Sequence, residues 1–311
     1  MEEKSIKFGK NLVTKEEFLA PGHNFCIGCG EALAIRLACK ALGEDVIINM
    51  ATGCDEVCTT PYPVTSWRVP WMHTLFENAA ATISGVESGL KILMEKRKIP
   101  ERDIKCVAMG GDGATSDIGI QALSGAIERG HDILYICFDN EAYMNTGIQR
   151  SSATPYGAST TTAPAGKYSI GQKTQKKNMI EIVVAHNIPY AATASPSYPF
   201  DLMNKVRKGA EIKGPAYVHI LAPCPTGWRY PGNITIELGR LAVETGIFPL
   251  YEVEYGQYKL NVHRPKLKPV EEYIKLQGRY RHLRDEDIKD IQESINKEYA
   301  KLEAKVITSA S

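Results

Sequence analysis

The segment IKCVAMGGDGAT, residues 104–115, indicates the fold class, because an apolar strand runs directly into a glycine-rich turn. Ile104–Met109 has the continuous apolar pattern of a strand that is buried on both faces. The glycines around Asp112 let the backbone turn sharply and bring its N–H groups close to a phosphate. A second such segment, ILYICFDNEAYMNTG at residues 133–147, follows the predicted helix Ile118–Glu128. This strand–helix–strand order is typical of a parallel sheet.

The same alternation continues along the chain. The predicted strands are Val46–Ala51, Ile104–Met109, Ile133–Phe138, Tyr190–Ala194 and Tyr217–Leu221. The predicted helices are Glu31–Leu42, Leu75–Lys96, Ile118–Glu128, Met179–His186, Phe200–Ile212 and Ile234–Thr245. We therefore predict an α/β fold, a parallel sheet with helices on both faces. Ligands of such sheets collect outside the carboxyl ends of the strands, so the loops that follow the strands are the candidate sites.

The two ends of the chain differ from its middle. Residues 1–17 are polar and predict an irregular N-terminal arm, whereas residues 18–250 carry the alternating pattern of the main module. Tyr251–Pro269 shows no clear element, and Asp285–Lys305 predicts a highly charged helix. We therefore expect residues 251–311 to form a helical C-terminal extension that packs on a partner subunit.

Composition excludes several classes of function. The 311 residues are 43% apolar and 23% charged, as in ordinary globular proteins. A formal net charge of +1 argues against a protein that coats nucleic acid or an anionic membrane. No apolar run approaches the roughly 18 residues of a membrane helix, and the first residues lack the apolar core of a secretory signal. We expect a soluble, cytoplasmic protein with no nucleic-acid or membrane partner.

Asp112 and Asn140 follow two consecutive strands of the predicted sheet. The 26 residues 114–139 between Gly113 and Asn140 correspond to one helix and one strand, so both side chains should reach the same edge of the sheet. The Asp112 carboxylate, the Asn140 amide oxygen and the Ala142 backbone oxygen could hold a divalent cation that bridges two phosphates. The alternative for the Gly-Asp-Gly sequence alone is a tight turn with a capping aspartate.

The eight cysteines divide by their positions. Cys26 and Cys29 form a CxxC pair in a glycine-rich loop, and Cys54 and Cys224 each follow a predicted strand. From the residues alone, these loop cysteines could hold an iron–sulfur cluster, could hold zinc, or could bind no metal. The CxxC pair alone also fits a redox disulfide. Cys39, Cys106 and Cys137 lie in apolar elements and are expected to be small buried hydrophobic residues, and Cys58 is ambiguous.

Taken together, the motifs resemble the β subunits of the 2-oxoacid:ferredoxin oxidoreductases, and the pyruvate-specific branch in particular. The resemblance covers roughly Glu17–Glu252, with the motifs in order. The segments that carry it are Gly111-Asp112-Gly113 with Asn140, DNEAYMNTG at 139–147, Cys26-x-x-Cys29-Gly-Glu31, Ala51-Thr52-Gly-Cys54, QRSSATPYG at 149–157, GKYS at 166–169, and Cys224-Pro-Thr-Gly-Trp228.

The resemblance implies a thiamine diphosphate-binding module of the diphosphate type. It implies that Mg²⁺ on the diphosphate is held by Asp112, Asn140 and the backbone oxygen of Ala142. It also implies that a [4Fe–4S] cluster is held by Cys26, Cys29, Cys54 and Cys224. Further residues that it assigns to the cofactor site are Gly111, Gly113, Thr52, Cys54 and Glu31. The catalytic residues implied are Glu31, on the aminopyrimidine side, and Asn145, close to the thiazolium and the bound 2-oxo acid.

The resemblance also implies the reaction and the partners. Pyruvate, CoA and oxidised ferredoxin would give acetyl-CoA, CO₂ and reduced ferredoxin, through a thiamine-bound enamine that a proximal cluster oxidises one electron at a time. An α subunit would supply the pyrimidine-binding domain and its activating glutamate, and further iron–sulfur subunits would lead to ferredoxin. We therefore expect the chain alone to be inactive, and the complex to work anaerobically in the cytoplasm.

Three other functions stay open at this point. The same machinery could act on oxalate or on another 2-oxo acid, including a branched-chain one. The chain could instead belong to a non-redox thiamine-dependent carboligase or decarboxylase, which needs Asp112 and Asn140 but has no use for four convergent cysteines. A zinc-stabilised scaffold subunit is the third possibility. The cysteines favour the redox function over the second of these.

Overall fold

A computed structural model describes residue 9 and residues 13–310. Most of the predicted N-terminal arm, residues 1–17, and the last residue, Ser311, lie outside the described residues. In the described ranges, no helix combines the length and the apolar character that crossing a bilayer requires.

The described residues contain ten strands, which form one main β-sheet and one small hairpin. The strands are β1 (Val46–Ala51), β2 (Trp71–Thr74), β3 (Lys105–Gly111), β4 (Ile133–Asp139), β5 (Ala165–Gly166), β6 (Ser169–Ile170), β7 (Tyr190–Ala194), β8 (Ala216–Leu221), β9 (Tyr251–Glu254) and β10 (Gln257–Leu260). The main sheet has eight strands in the order β10-β9-β7-β8-β4-β3-β1-β2. The six strands from β7 to β2 in this order are parallel to one another. β9 pairs antiparallel with β7 on one side and with β10 on the other. β5 and β6 form a small separate hairpin.

Helices cover both faces of this sheet. They are α1 (Gly30–Leu42), α2 (Cys54–Val57), α3 (Ala79–Glu95), α4 (Ile120–Glu128), α5 (Met179–Val184), α6 (Pro199–Glu211), α7 (Pro225–Trp228), α8 (Thr235–Glu244), α9 (Glu271–Ile274) and α10 (Asp285–Ala310). A π-helix spans Ala114–Ile118, and 3₁₀ turns span Gly232–Ile234 and Gly278–Tyr280. α1 and α6 pack on one face, and α3, α4 and α5 pack on the other. The predicted α/β fold with a two-sided parallel sheet is confirmed.

The two helical layers account for the apolar strands. In β4, Leu134 and Ile136 pack into the core beneath α1 and α6, while Ile133 and Tyr135 pack into the core beneath α3 and α4. All four side chains are buried, because a strand in the middle of a two-sided sheet has no face in water. A Cβ added at Gly209 of α6 would lie 3.0 Å from the Leu134 Cδ1 atom, so a residue without a side chain lets this helix approach the sheet closely.

The predicted elements are found, with differences at some boundaries. β1 and β7 begin and end at the predicted residues. The helix predicted from Leu75 begins at Ala79, after an edge strand, β2, that the sequence analysis missed. The four residues of β2, Trp71–Thr74, are two apolar residues followed by two polar ones. They lack the alternation of apolar and polar residues that indicates a half-buried strand.

Tyr251–Pro269, for which no element was predicted, contains the hairpin β9–β10. This hairpin extends the main sheet by antiparallel pairing of β9 with β7. The predicted division of the chain at residue 250, and the predicted contact of residues 251–311 with a partner subunit, stay predictions.

Glu252 of β9 holds the hairpin to the rest of the sheet. Its carboxylate accepts hydrogen bonds from the Tyr190 hydroxyl at 3.0 Å and from Lys208 at 3.2 Å. Burial opposes its ionisation, but the charge and hydrogen bond of Lys208 outweigh this effect and lower the pKa of Glu252 to about 2, from the usual 4.5. A carboxylate whose pKa is lower in the folded chain contributes stability above pH 4.5 and loses that contribution as the pH falls towards 2.

We therefore expect Glu252→Gln to lower the unfolding free energy at neutral pH and to flatten its decrease between pH 4.5 and about 2. The measurement is urea unfolding of the chain at a series of pH values. Glu293→Gln, on an exposed position of α10, is the control and should keep the acid dependence that Glu252 causes, because Glu252 and its partners are intact. An acid dependence in Glu252→Gln equal to that of the unsubstituted chain would contradict this account.

Candidate functional site

The carboxyl ends of four neighbouring strands supply the loops of the candidate site. β8, β4, β3 and β1 are adjacent and parallel, so the loops that follow them leave the same edge of the sheet. These loops contain Cys224, Asn140, Asp112 and the pair Thr52 and Cys54. The structure therefore places residues that are far apart in the chain at one edge of the sheet, with Asp112 and Asn140 on neighbouring strand ends.

Asp112 is buried at the end of β3, with 1% of its surface exposed. It accepts a hydrogen bond from the Ser151 hydroxyl, which belongs to the long loop after β4. Burial and the nearby charge of Asp139 raise the pKa of Asp112 well above its usual value. The next residue must be glycine, because a Cβ at Gly113 would lie 2.0 Å from the Tyr143 ring.

Asn140 has one amide atom paired and one unpaired. Its Nδ2 donates to the Glu31 carboxylate at 3.1 Å, and its backbone oxygen accepts a hydrogen bond from the Trp228 indole at 2.8 Å. Its Oδ1 is buried and has no hydrogen-bond partner in the described part of the chain. A buried amide oxygen without a partner is costly unless a ligand satisfies it, and such an oxygen is a good ligand for Mg²⁺.

Glu31 and Asp55 are two further buried carboxyls near Asn140. Burial, followed by the charge of Asp55, raises the pKa of Glu31, although the hydrogen bond from Asn140 opposes this shift. Burial raises the pKa of Asp55 to about 7. Asp55 was not predicted as a site residue, although its position directly after Cys54 at a strand end was a usable signal.

These buried carboxyls share one electrostatic property. Among the described residues, no lysine or arginine forms a salt bridge with Glu31, Asp55 or Asp112. An unpaired buried carboxyl is stabilised by a cation or by a proton. The residues therefore fit Mg²⁺ on a diphosphate, with Asp112 and the unpaired Asn140 oxygen as side-chain ligands.

Thr52 lies between β1 and β2. Its hydroxyl is 2.7 Å from the His73 Nε2 atom and donates to the Thr74 carbonyl at 3.2 Å. The predicted contact of Thr52 with a cofactor stays a prediction, while His73 joins the candidate site through this hydrogen bond.

The four predicted cluster ligands lie on loops that contact one another. Cys26 and Cys29 precede α1, Cys54 begins α2, and Cys224 precedes α7. The Gly30 N–H donates to the Pro223 carbonyl at 3.0 Å, which ties the CxxC loop to the Cys224 loop. All four cysteines are free thiols.

The pKa values of these thiols depend on burial and on the charges of neighbouring groups, other thiols included. Burial raises the pKa of Cys224 to about 11, and the charge of Cys26 contributes to this shift. Burial also raises the pKa values of Cys29 and Cys54, to which the charges of Glu31 and Cys224 both contribute. The Gly227 N–H points at the Cys224 sulfur, with a distance of 3.4 Å. Backbone N–H groups directed at cysteine sulfur are a feature that iron–sulfur sites use to tune the cluster.

Neither the [4Fe–4S] assignment nor the Mg²⁺ assignment is tested by the structure. In residue 9 and residues 13–310, no three His, Cys, Asp or Glu side chains are arranged so that they could hold a metal ion. Cys26, Cys29, Cys54 and Cys224 stay predicted cluster ligands, and Asp112, Asn140 and Ala142 stay predicted Mg²⁺ ligands.

The predicted catalytic residue Asn145 is exposed, on the turn that follows Ala142. The neighbouring Met144 side chain packs against Gly227, where an added Cβ would lie 2.2 Å from the Met144 sulfur. This contact packs the turn that contains Asn145 against the loop that contains Cys224. The predicted contact of Asn145 with substrate stays a prediction.

Sequence reasoning missed a buried ion network that surrounds Asn140. Lys176 pairs with Asp139 and, at 2.8 Å, with Glu141. Arg279 pairs with Glu141 at 2.6 Å, and the His219 Nε2 atom is 2.7 Å from the Asp139 carboxylate.

This network keeps Asp139 and Lys176 charged. Burial alone would raise the pKa of Asp139, but Lys176 and His219 lower it to about 2. Burial would likewise lower the pKa of Lys176, but Asp139 and Glu141 raise it. The partners of Glu141 are 35 and 138 residues away in the chain, so no local sequence pattern could have found them.

The chain is similar to a known protein family and to individual proteins of known name. Residues 51–220 match the family model described as thiamine pyrophosphate enzyme, C-terminal TPP binding domain. Pyruvate synthase subunit PorB of Methanocaldococcus jannaschii is 61% identical over 283 residues, which cover 91% of this chain and 95% of that protein. The subunit of the same name from Methanothermobacter thermautotrophicus is 57% identical, and the match covers 91% of this chain and 96% of the relative. Ketoisovalerate oxidoreductase subunit VorB of Pyrococcus abyssi is 50% identical, with 96% of each chain covered.

A solved structure supports the fold. It is a 2-oxoglutarate:ferredoxin oxidoreductase from Magnetococcus marinus, which matches with a TM-score of 0.55 and 21% identity. The match covers 72% of this chain and 79% of that one. At this identity the likeness is evidence for the fold alone.

The burial of the thiols predicts their order of reactivity in the cluster-free chain. At about pH 8, iodoacetamide should alkylate the exposed Cys26 at least roughly tenfold faster than Cys224, because a thiol with a pKa of about 11 contains little of the reactive thiolate. Peptide mass spectrometry over a time course measures both rates, with the fully buried Cys39 as the slow reference. Equal rates for Cys26 and Cys224 would show that the Cys224 loop is open, contrary to this structure.

Proposed function

This chain belongs to the family of thiamine diphosphate-dependent 2-oxoacid:ferredoxin oxidoreductase β subunits, and from that premise we propose that it is the β subunit of a pyruvate:ferredoxin oxidoreductase. The proposed reaction converts pyruvate, CoA and oxidised ferredoxin into acetyl-CoA, CO₂ and reduced ferredoxin. Bound thiamine diphosphate would supply the nucleophilic carbon for the 2-oxo group, and a [4Fe–4S] cluster would accept the electrons one at a time.

The observation that supports this proposal most is the contact between the two proposed cofactor sites. Glu31 accepts a hydrogen bond from the Asn140 amide on one side, and on the other its charge adds to the effect of burial in raising the pKa values of Cys29 and Cys54. A carboxyl that lies between the proposed Mg²⁺–diphosphate ligands and the proposed cluster ligands would place the two cofactors close together, as a reaction that transfers electrons between them requires.

The proposed roles of the residues follow from their chemistry. Asp112, Asn140 and the backbone oxygen of Ala142 would bind Mg²⁺, while the N–H groups around Gly111 and Gly113 would approach the diphosphate. Thr52 and Glu31 would contact the cofactor. Asn145 would donate a hydrogen bond to a developing oxyanion without itself titrating.

Cys26, Cys29, Cys54 and Cys224 would hold the cluster in this proposal. The thiols must lose their protons when they bind iron. The free energy of iron binding must therefore exceed the extra cost of deprotonating Cys224, whose pKa is raised.

The pyruvate assignment rests on the PorB relatives at 61% and 57% identity. The VorB relative at 50% identity makes a branched-chain 2-oxo acid the second candidate substrate. The names of these relatives, which are subunits, also support a complex. In this proposal an α subunit supplies the pyrimidine-binding domain and its glutamate, further iron–sulfur subunits carry electrons to ferredoxin, and the complex is cytoplasmic.

The first test is the iron and acid-labile sulfide content of the complex, purified without oxygen. We expect Cys224→Ser to lower each by about four atoms per β subunit, as the loss of one [4Fe–4S] cluster requires. Cys58→Ser is the matched control, because Cys58 is a partly exposed cysteine near Cys26 that has no role in the proposal. Unchanged iron in Cys224→Ser, or stoichiometric zinc in its place, would reject the proposed cluster.

The second test is activity with and without partner subunits. We expect the isolated chain to reduce no ferredoxin with pyruvate and CoA, because the glutamate that activates thiamine would come from the α subunit. The complex should show a kcat/KM for pyruvate at least roughly tenfold above that for 2-oxoisovalerate. The reverse preference would make the branched-chain acid the substrate, and activity of the isolated chain would contradict the proposed division between subunits.

A further inference from the structure

Glu141 stands between Asn140 and Ala142, the two neighbouring residues that are proposed to bind Mg²⁺. Its φ is +69°, which lies in the left-handed region where a residue with a side chain is disfavoured. Such a conformation persists only where the surroundings enforce it. This backbone angle sets how Asn140 and Ala142 are oriented relative to each other.

Every polar group of Glu141 is held in place. Its N–H donates to Asp139 Oδ1 at 2.9 Å, and its carbonyl accepts a hydrogen bond from the Thr154 hydroxyl at 2.8 Å. One carboxylate oxygen pairs with Lys176 at 2.8 Å and the other with Arg279 at 2.6 Å. Only 2% of the residue is exposed, so water does not compete for these contacts.

Arg279 is also linked to the other side of Asn140, through Trp228. Its guanidinium lies over the Trp228 ring, 4.1 Å from the centroid, and the indole N–H of Trp228 donates to the Asn140 carbonyl at 2.8 Å. A hydrogen bond from Arg279 Nε to Gln277, 2.9 Å long, fixes the orientation of the guanidinium. Arg279 thus contacts both the Glu141 carboxylate and the Trp228 ring, which restrain the backbone at residues 140–141 together with Asp139, Thr154 and Lys176.

We propose that Arg279 is a positioning residue for the Mg²⁺–diphosphate site: by holding Glu141 in its left-handed conformation and supporting Trp228, it orients the metal ligands at Asn140 and Ala142. This inference rests on the proposed function, because it assigns Mg²⁺ to those oxygens. Arg279 contacts neither metal nor substrate and acts through its neighbours.

The test uses the assembled complex and measures the Mg²⁺ concentration at which thiamine diphosphate binding is half-maximal. We expect Arg279→Gln to raise this concentration about tenfold, equivalent to about 1.4 kcal/mol of binding free energy. The KM for pyruvate at saturating Mg²⁺ should change much less. Arg281→Gln, an exposed arginine two residues further on, is the matched control and should leave the Mg²⁺ requirement unchanged.

A pair of double variants separates backbone positioning from general stabilisation. E141G/R279Q and E141A/R279Q both remove one buried negative and one buried positive charge, which leaves Asp139 and Lys176 paired. Only glycine adopts the φ of +69° without a steric penalty. We therefore expect the glycine variant to bind Mg²⁺ and thiamine diphosphate several-fold more tightly than the alanine variant. This comparison also tests the inference if Arg279→Gln alone fails to assemble.

The outcomes are distinguishable. If the unsubstituted complex shows no Mg²⁺-dependent binding of thiamine diphosphate, the proposed function fails and the inference fails with it. If the unsubstituted complex binds but Arg279→Gln has the same Mg²⁺ requirement, or if the glycine and alanine variants are equal, only the inference is overturned. In that case Arg279 stabilises the fold without orienting the ligands.

Discussion

The parallel register of β8, β4, β3 and β1 is the constraint on which the candidate site depends. Asp139 of β4 pairs with Leu221 of β8, and Gly111 of β3 pairs with Phe138 of β4, so these three strands end at nearly the same level. The loops that follow must therefore lie side by side, although they are distant in the chain. A register shift of one residue would turn Asp139 and its neighbours to opposite faces of the sheet and separate the site residues.

Burial of charge in the site follows two patterns, and the difference indicates where a ligand belongs. Asp139 and Glu141 are matched by Lys176 and Arg279, so this half of the site is complete without any ligand. Glu31, Asp55 and Asp112 form no salt bridge to a lysine or arginine of the described chain, and burial raises their pKa values. The first group holds the backbone around Asn140 rigid. The second group lacks a positively charged partner from the described chain, and a divalent metal ion can supply that charge.

The fold was predictable because each central strand is a continuous apolar run, and the candidate loops follow from that prediction. Asp112, Asn140, Cys54 and Cys224 were predicted in this way, since local sequence shows both the strand and the residues after it. The CxxC pair was predicted from its spacing, and the roles of all six residues stay predictions. The edge strand β2 and the hairpin β9–β10 were missed because they are short and mix polar with apolar residues. Lys176 and Arg279 were missed for a different reason: they act through ion pairs across 35 and 138 residues, which only the folded chain reveals.

The role of Arg279 changes how the C-terminal residues relate to the site. Residues 251–311 were predicted as an extension, and β9, β10 and α10 pack on the chain's own sheet. Arg279, within this segment, supplies one of the two positive charges that balance Asp139 and Glu141. Without that charge, the carboxylates of Asp139 and Glu141 would share Lys176 as their cationic partner. The left-handed Glu141 would also lose one of its restraints. The segment therefore completes the electrostatics of a site whose other residues all come from the preceding part of the chain.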